Sequence, residues 1–152
     1  AQIEWHFFGE GPILEEFKIK LKRNNLFDFV KFHKSVLQSD LPAVLTEYDI
    51  FFLGLIGDDY INKTCPSRLP YAMANSMPII AFGEGEIESI IKSSGCGYVT
   101  KASNIDGFIR NLITFERLEN EERFKLGKNA RDYYLNKFES KKIFSRISEL
   151  LT

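Results

Sequence analysis

Short apolar runs alternate with longer amphipathic runs along most of the chain. Ile3-Glu4-Trp5-His6-Phe7-Phe8 reads as a strand that ends at Gly9-Glu10-Gly11-Pro12. From Ile13 to Lys22 the positions Ile13, Leu14, Phe17, Ile19 and Leu21 recur at near-helical spacing, with charges between them. Asn24-Asn25 closes that helix, and Phe29–His33 is a second strand. Asp40 is placed to cap a short helix over Leu41–Tyr48. Asp49–Gly54 is almost continuously apolar, as in a strand buried on both faces of a parallel sheet. A polar loop, Gly57–Cys65, leads to a short helix over Pro66–Asn75. Pro78–Phe82 is another buried strand, followed by a helix over Ile87–Lys92 and a strand at Tyr98-Val99. The remainder reads as three helices: Ile105–Phe115, Leu118–Phe138, and Ser140–Leu151, the last with Ile143, Phe144, Ile147, Leu150 and Leu151 on one side.

Strands separated by helices mean βαβ units with right-handed crossovers. The fold class is therefore α/β, a Rossmann-like, doubly wound parallel sheet with helices on both faces and further helices at the C-terminus. Ligands of such sheets bind at the carboxyl ends of the strands. The turns after Phe8, Phe32, Leu53 and Phe82 should then share one edge, and candidate chemistry belongs there.

Composition narrows the functional classes. Of 152 residues, 44% are hydrophobic and 27% charged, enough apolar material for a core of one domain's size. Twenty basic residues meet 21 acidic ones, so no basic footprint for nucleic acid exists. No apolar run approaches the roughly 18 residues of a membrane span. Cys65 and Cys96 make neither a disulfide framework nor a zinc spacing. The first residues are not a signal peptide, and they enter apolar sequence at once, as at a trimmed end.

Several residues at the expected edge could meet a ligand. Gly9 and Gly11 would let a backbone lie close to a phosphate or sugar, but they serve a plain βα turn equally well. The third glycine of the dinucleotide fingerprint is missing. Ser67, Arg68 and Leu69 stand where a long loop meets a helix N-terminus. Free amides, a positive dipole end and a guanidinium suit a diphosphate, while Ser67 as an N-cap and Arg68 as a solvated side chain explain the same residues. His33 and Lys34 follow a strand at that edge, where a lone histidine reads more simply as a bystander, as does His6 inside a strand. Asp58-Asp59 reads as a solvated turn, and Glu84 as either a sugar contact or a helix-end acid. No Ser/His/Asp set is present. The charged helix carrying Arg117, Glu119, Glu121, Glu122, Arg123, Lys125 and Lys128 reads as a solvent-facing surface.

The order of these motifs resembles a known family. Phe7–Pro12, Val30–His33 and the strand Asp49–Leu53 are followed by Pro66–Ala81, Gly95–Val99 and Leu126-Gly127-Lys128-Asn129-Ala130-Arg131. Nearly the whole chain is similar to the C-terminal, donor-binding domain of GT-B glycosyltransferases of the group 1, or family 4, type. The resemblance implies retaining transfer of a sugar from a nucleotide-sugar to a hydroxyl acceptor, in polysaccharide or glycoconjugate synthesis. It implies no metal and no cofactor, since the nucleotide-sugar is a substrate. It places the diphosphate at Ser67, Arg68 and Leu69, and the ribose and base near Tyr71, His33 and Lys34, with Gly9 and Gly11 in a glycine loop. Tyr71 stands where relatives carry a ribose-binding glutamate, Lys63 near the position of their other glutamate, and Lys34 and Ser76 where they carry glycines. The acceptor, a sugar or a lipid-linked sugar, would be held by an N-terminal domain outside this sequence, as would the first βα unit. A cytoplasmic place follows from the family, with room for a peripheral contact at the inner face of a membrane. A non-catalytic Rossmann-like binding module and a nucleotide-sugar epimerase are the rival classes.

Overall fold

The computed structural model describes residues 3–55 and 60–151. Asp58-Asp59 and the start of the polar loop lie outside the described residues. The chain divides into two compact units, up to Val44 and from Leu45 onward.

The first unit opens with β1 (Trp5–Phe8), α1 (Leu14–Arg23) and β2 (Val30–His33), with a 3-10 turn at Phe27–Phe29. The strands are parallel, with Phe7 beside Phe32 and Phe8 beside His33. Side chains alternate along a strand, so Trp5, Phe7, Val30 and Phe32 share one face. The α1 helix covers that face. Phe17 sits edge-on to Phe7 at 5.3 Å and to Phe32 at 5.9 Å, and Leu21 is buried. The other face carries His6, Phe8, Lys31 and His33. Asn25, at φ 55°, turns the chain out of α1 where the asparagine pair was expected to end it. A short helix, α2 (Leu41–Leu45), follows Asp40, whose carbonyl accepts from Ala43 and Val44 N–H.

The second unit is built on β3 (Phe51–Gly54), β4 (Ile79–Phe82) and β5 (Gly97–Thr100), parallel in the order β3-β4-β5. Ile79, Ile80 and Ala81 are fully buried, as the unbroken apolar run requires of a central strand. Around these strands lie α3 (Arg68–Ala74), α4 (Glu86–Ser94), α5 (Ile105–Glu116), α6 (Asn120–Lys137) and α7 (Ser140–Leu150). The α5 helix closes one face through rings: Phe108 stacks on Phe82 at 4.1 Å and meets Phe52 edge-on at 5.6 Å. Asn104 caps it by accepting the Gly107 N–H at 2.9 Å, and Asn111 donates to Thr100 Oγ1 at 2.7 Å. Every expected strand and helix is present, with ends moved by a few residues.

Arg117, Glu119, Glu121, Glu122, Lys125 and Lys128 are exposed, as expected of a solvent-facing surface, Arg123 is half-buried, and the other side of α6 is seated on the core. It packs directly on α3 through Gly127 and Ala130, both buried. A Cβ at Gly127 would collide with the Ser76 carbonyl oxygen. Asn129 donates to Gly95 O at 2.9 Å, at the end of α4, and Arg131 donates to Ala74 O, at the end of α3. Arg123 donates to Glu116 O and Leu118 O and lies over the Phe115 ring at 5.2 Å. The polar residues of this helix thus bond the carbonyls left open at other helix ends. The apolar side of α7 stays exposed, with Phe144 at 67% and Leu150 at 86%. Among the described residues no helix is long and apolar enough to cross a membrane.

Ser76 holds φ 57°, a left-handed conformation that costs an ordinary residue about 1 kcal/mol. Ser76→Gly should therefore stabilise the chain by about 0.5–1 kcal/mol. Gly127→Ala should destabilise it by about 1–3 kcal/mol, despite alanine's better helix propensity. Urea unfolding, read as midpoint shifts at constant slope, checks both.

Candidate functional site

The parallel registers place the strand ends as the sheet rule requires within each unit. Gly54, Phe82 and Thr100 are neighbours at the carboxyl edge of the three-stranded sheet, and Phe8 and His33 at that of the two-stranded one. The expected site residues divide accordingly. Gly9, Gly11, His33 and Lys34 belong to the first unit; Ser67, Arg68, Leu69 and Tyr71 belong to the second.

In the second unit the chain leaves β3 at its carboxyl end and returns through a 3-10 turn, Ile61–Lys63, to the start of α3. Thr64 ties this turn by donating from Oγ1 to Ile61 O at 2.7 Å. Gly85, at φ 71°, lies so close to Asn62 that a Cβ would strike the Asn62 carbonyl. The approach to α3 is therefore braced against the start of α4. Cys65 lies in the same segment, and burial together with the nearby Glu86 carboxylate pushes its thiol up.

Ser67 has helical dihedrals, φ −54° and ψ −27°, and its side chain makes no capping bond. Its carbonyl accepts the Tyr71 N–H at 3.4 Å. The Ser67 hydroxyl and the Arg68 guanidinium are exposed, and neither has a partner among the described residues. Leu69 behaves differently. Its side chain is fully buried, and its N–H already donates to Pro66 O at 2.9 Å. The amide set read from the sequence as Ser67–Leu69 thus narrows to Ser67 and Arg68. Tyr71 is half-buried and holds the chain locally, its carbonyl accepting from Asn75 Nδ2 at 2.8 Å. One short helix thus puts Leu69, Ala72 and Met73 in the core and leaves Ser67 and Arg68 at its mouth.

Glu84, the alternative sugar contact, pairs with Lys101 Nζ at 2.7 Å. This pairing holds the Lys101 ammonium above its usual range. Both side chains are largely solvated, so the pair is weak and a ligand could compete for it.

In the first unit Gly9 has a backbone reason to be glycine. Its φ is 126°, a region side-chain-bearing residues avoid, and its N–H donates to His33 O at 3.1 Å. Gly11 has neither a positive φ nor a close neighbour, so nothing in the backbone demands glycine there. Lys34 is exposed. His6 is not the bystander that its place in the sequence suggests: its ring nitrogens lie 2.7 Å from Glu4 and 2.8 Å from His33. The signal that could have found this pair is the parallel register, which sets His6 and His33 on one face although they are 27 positions apart.

A cleft of about 360 Å³ lies at the opposite, amino-terminal edge of β3 and β4, beside Asp49, Pro78 and α6. Its cations are already committed. Arg131 caps α3, Lys128 pairs with Asp132 at 2.6 Å, and Arg123 bonds two carbonyls. The cleft follows from how α6 is seated: Arg123 and Arg131 hold that seat, while Lys128 pairs along its own helix with Asp132.

Exposed, unpartnered side chains carry little stability. Ser67→Ala and Arg68→Ala should each change unfolding free energy by less than about 0.5 kcal/mol. Leu69→Ala, two positions from Ser67, should cost about 2–5 kcal/mol. Thermal and urea unfolding of the three variants would show whether the mouth of α3 can be altered without touching its core side.

The chain matches the family model "Glycosyl transferases group 1" over residues 1–133. No curated protein matches it. Among solved structures it is similar to S. aureus TarM, in a point mutant in complex with fondaparinux, alpha-GlcNAc-glycerol and UDP. That likeness has a TM-score of 0.77 at 16% identity over 97% of this chain. A second TarM crystal structure gives a TM-score of 0.72 at 18% identity, again over 97% of this chain. The chain spans 28% of the length of either TarM chain. At these identities the likeness establishes the α/β fold, which is of the GT-B type. The match over most of the sequence establishes more: this chain belongs to the glycosyl transferases group 1 family.

Proposed function

We propose that the chain is the nucleotide-sugar-binding part of a longer glycosyltransferase. It would hold the donor for retaining transfer of a hexosyl unit to a hydroxyl acceptor, in polysaccharide or glycoconjugate synthesis. The acceptor would be a sugar or lipid-linked sugar, presented by an N-terminal domain. Family membership supports the reaction class. The short span relative to TarM supports the division of labour. UDP in one TarM structure makes a uridine nucleotide the first donor to try.

The observation that carries the site is the unpartnered pair Ser67 and Arg68, where the chain returns from the carboxyl edge of β3. As the glycosidic bond to the donor breaks, negative charge builds on the leaving diphosphate. A guanidinium offers two parallel donors to phosphate oxygens, and the adjacent hydroxyl and amides add short-range ones. The helix fixes the Ser67 and Arg68 backbone, and the phosphates would order the exposed guanidinium as they bind, so that it stabilises the leaving charge. Tyr71 would offer a hydroxyl to the ribose in place of the glutamate found in relatives. His33 and Lys34 are assigned to ribose or base from their own unit, at the carboxyl end of β2. Gly9, by its open left-handed turn, would admit a ligand close to the backbone. No metal or cofactor is needed in this scheme, and none of its steps uses one.

Thermal-shift titration with UDP, GDP, CDP, ADP and dTDP and their sugars tests the reading. A ligand at about 100 times its dissociation constant adds about 2.7 kcal/mol to stability. One nucleotide class should shift the melting temperature. Arg68→Ala should weaken its binding by about 1.5–3 kcal/mol, the usual worth of a charged hydrogen bond. An Arg68→Ala chain that binds that nucleotide as well as the parent would remove Arg68 from the site.

A further inference from the structure

Glu4, His6 and His33 form a hydrogen-bonded line on the face of the β1–β2 ladder away from α1. His6 Nε2 lies 2.7 Å from Glu4 Oε1, and His6 Nδ1 lies 2.8 Å from His33 Nε2. The two rings are within 9° of parallel, with centres 5.0 Å apart. Nitrogens 2.8 Å apart are closer than the planes of stacked rings can come, so the rings meet edge to edge. An imidazole nitrogen lies about 1.1 Å from its ring centre, so a head-on N–H···N bond sets the centres about 5 Å apart, as found. Phe8 stacks on His33 at 4.6 Å and holds it in that plane. The three side chains run in line without converging, and they make no metal cage.

A bond between two imidazole nitrogens needs one proton and one lone pair. An ionised Glu4 can only accept, so His6 Nε2 carries a proton in every arrangement. Three arrangements then satisfy the line. In the first, both rings are neutral with protons on Nε2, and His33 Nδ1 presents a lone pair. In the second, one proton has been added. His6 is doubly protonated beside the Glu4 carboxylate, and His33 is still neutral but now carries its proton on Nδ1. Going from the first to the second forms an N–H bond at His33 Nδ1. It breaks the one at His33 Nε2 and forms one at His6 Nδ1. The charge comes to rest on His6, against Glu4. In the third, His33 is itself the imidazolium with its Nε2–H still donating to a neutral His6, which the Glu4 carboxylate disfavours because it touches His6 and not His33. A further proton has no place unless the bond between the rings breaks.

We propose that Glu4 and His6 are positioning residues that load His33 with a proton, so that His33 Nδ1 switches between acceptor and donor toward a bound ligand while its own ring stays neutral. Among the described residues nothing bonds that nitrogen. His33 ends β2 at the carboxyl edge, beside the Gly9 turn. A neutral group with a two-way hydrogen bond suits a hydroxyl or a nucleobase edge. That ligand class rests on the donor reading above; the relay itself does not. Other charges near the line are Lys31, whose Nζ is 3.8 Å from Glu4 Oε2, and the exposed Lys34. Lys18 and Lys22 lie over Phe32 and Phe27, on the covered face.

NMR of the histidine ring nitrogens, from about pH 8 to about pH 5, tests the relay in the free chain. On acidification both His6 nitrogens should reach imidazolium shifts, while the two His33 nitrogens exchange roles. Both His33 nitrogens moving to imidazolium shifts, with or without those of His6, would overturn the proposal. In His6→Asn the exchange should vanish; an exchange that survives would equally overturn it. Glu4→Gln keeps an acceptor for His6 but removes the charge, so the added proton should be shared and the His33 shifts should move only partway. A full exchange in that variant would exclude Glu4. Adding UDP should move the His33 Nδ1 signal. A melting shift that leaves Nδ1 unmoved refutes the ligand role. No melting shift fails the donor reading, and the exchange in the free chain still scores the relay.

Discussion

The seat of α6 on the ends of two other helices is the contact on which the second unit depends. Gly127 brings the helix backbone against the Ser76 carbonyl, and Ala130 fills the space beside it. Asn129 and Arg131 then satisfy the last carbonyls of α4 and α3. These are groups that every helix leaves open and that burial would make costly. A helix with almost no apolar stripe is thus held by close approach and hydrogen bonds. The Leu126–Arg131 motif gains a physical meaning from this, because Gly127, Asn129 and Arg131 each meet a particular carbonyl.

The position of α3 follows from that seat. Its C-terminal end is fixed by α6, its inner side by Leu69, Ala72 and Met73, and its approach by the Gly85–Asn62 contact. Only the first residues are left to solvent. A ligand-binding mouth needs side chains that are placed but not spent, and Ser67 and Arg68 meet that condition among the described residues. The backbone of a binding residue on the same short helix as core groups is held by that core.

The first unit solves a different problem. Its aromatic face is closed by α1, so its remaining face must accommodate polar residues on a two-stranded ladder. Glu4, His6 and His33 do so by bonding one another in sequence rather than by facing water singly. The same ladder that aligns them holds the Gly9 turn to the end of β2.

Much of the fold was legible in the sequence because hydrophobic period reports burial directly. Ile79-Ile80-Ala81 reads as a strand covered on both faces and is one, and the Asn24-Asn25 stop falls at a real helix end. The mouth of α3 was legible as residue types: a serine and an arginine after a long loop. Which of its amides are free was not, since the Pro66 carbonyl takes the Leu69 N–H only once the turn has formed. The charged side of α6 read correctly as surface, but charge pattern says nothing about the carbonyls of other segments that the opposite side of the helix meets. His6 read as a bystander because its partner lies 27 positions away. Periodicity is a property of neighbours along the chain, so the sequence by itself determined the elements, their class and the family. Register, helix-end capping and the His6–His33 line are contacts between distant segments, and only the tertiary structure could decide them.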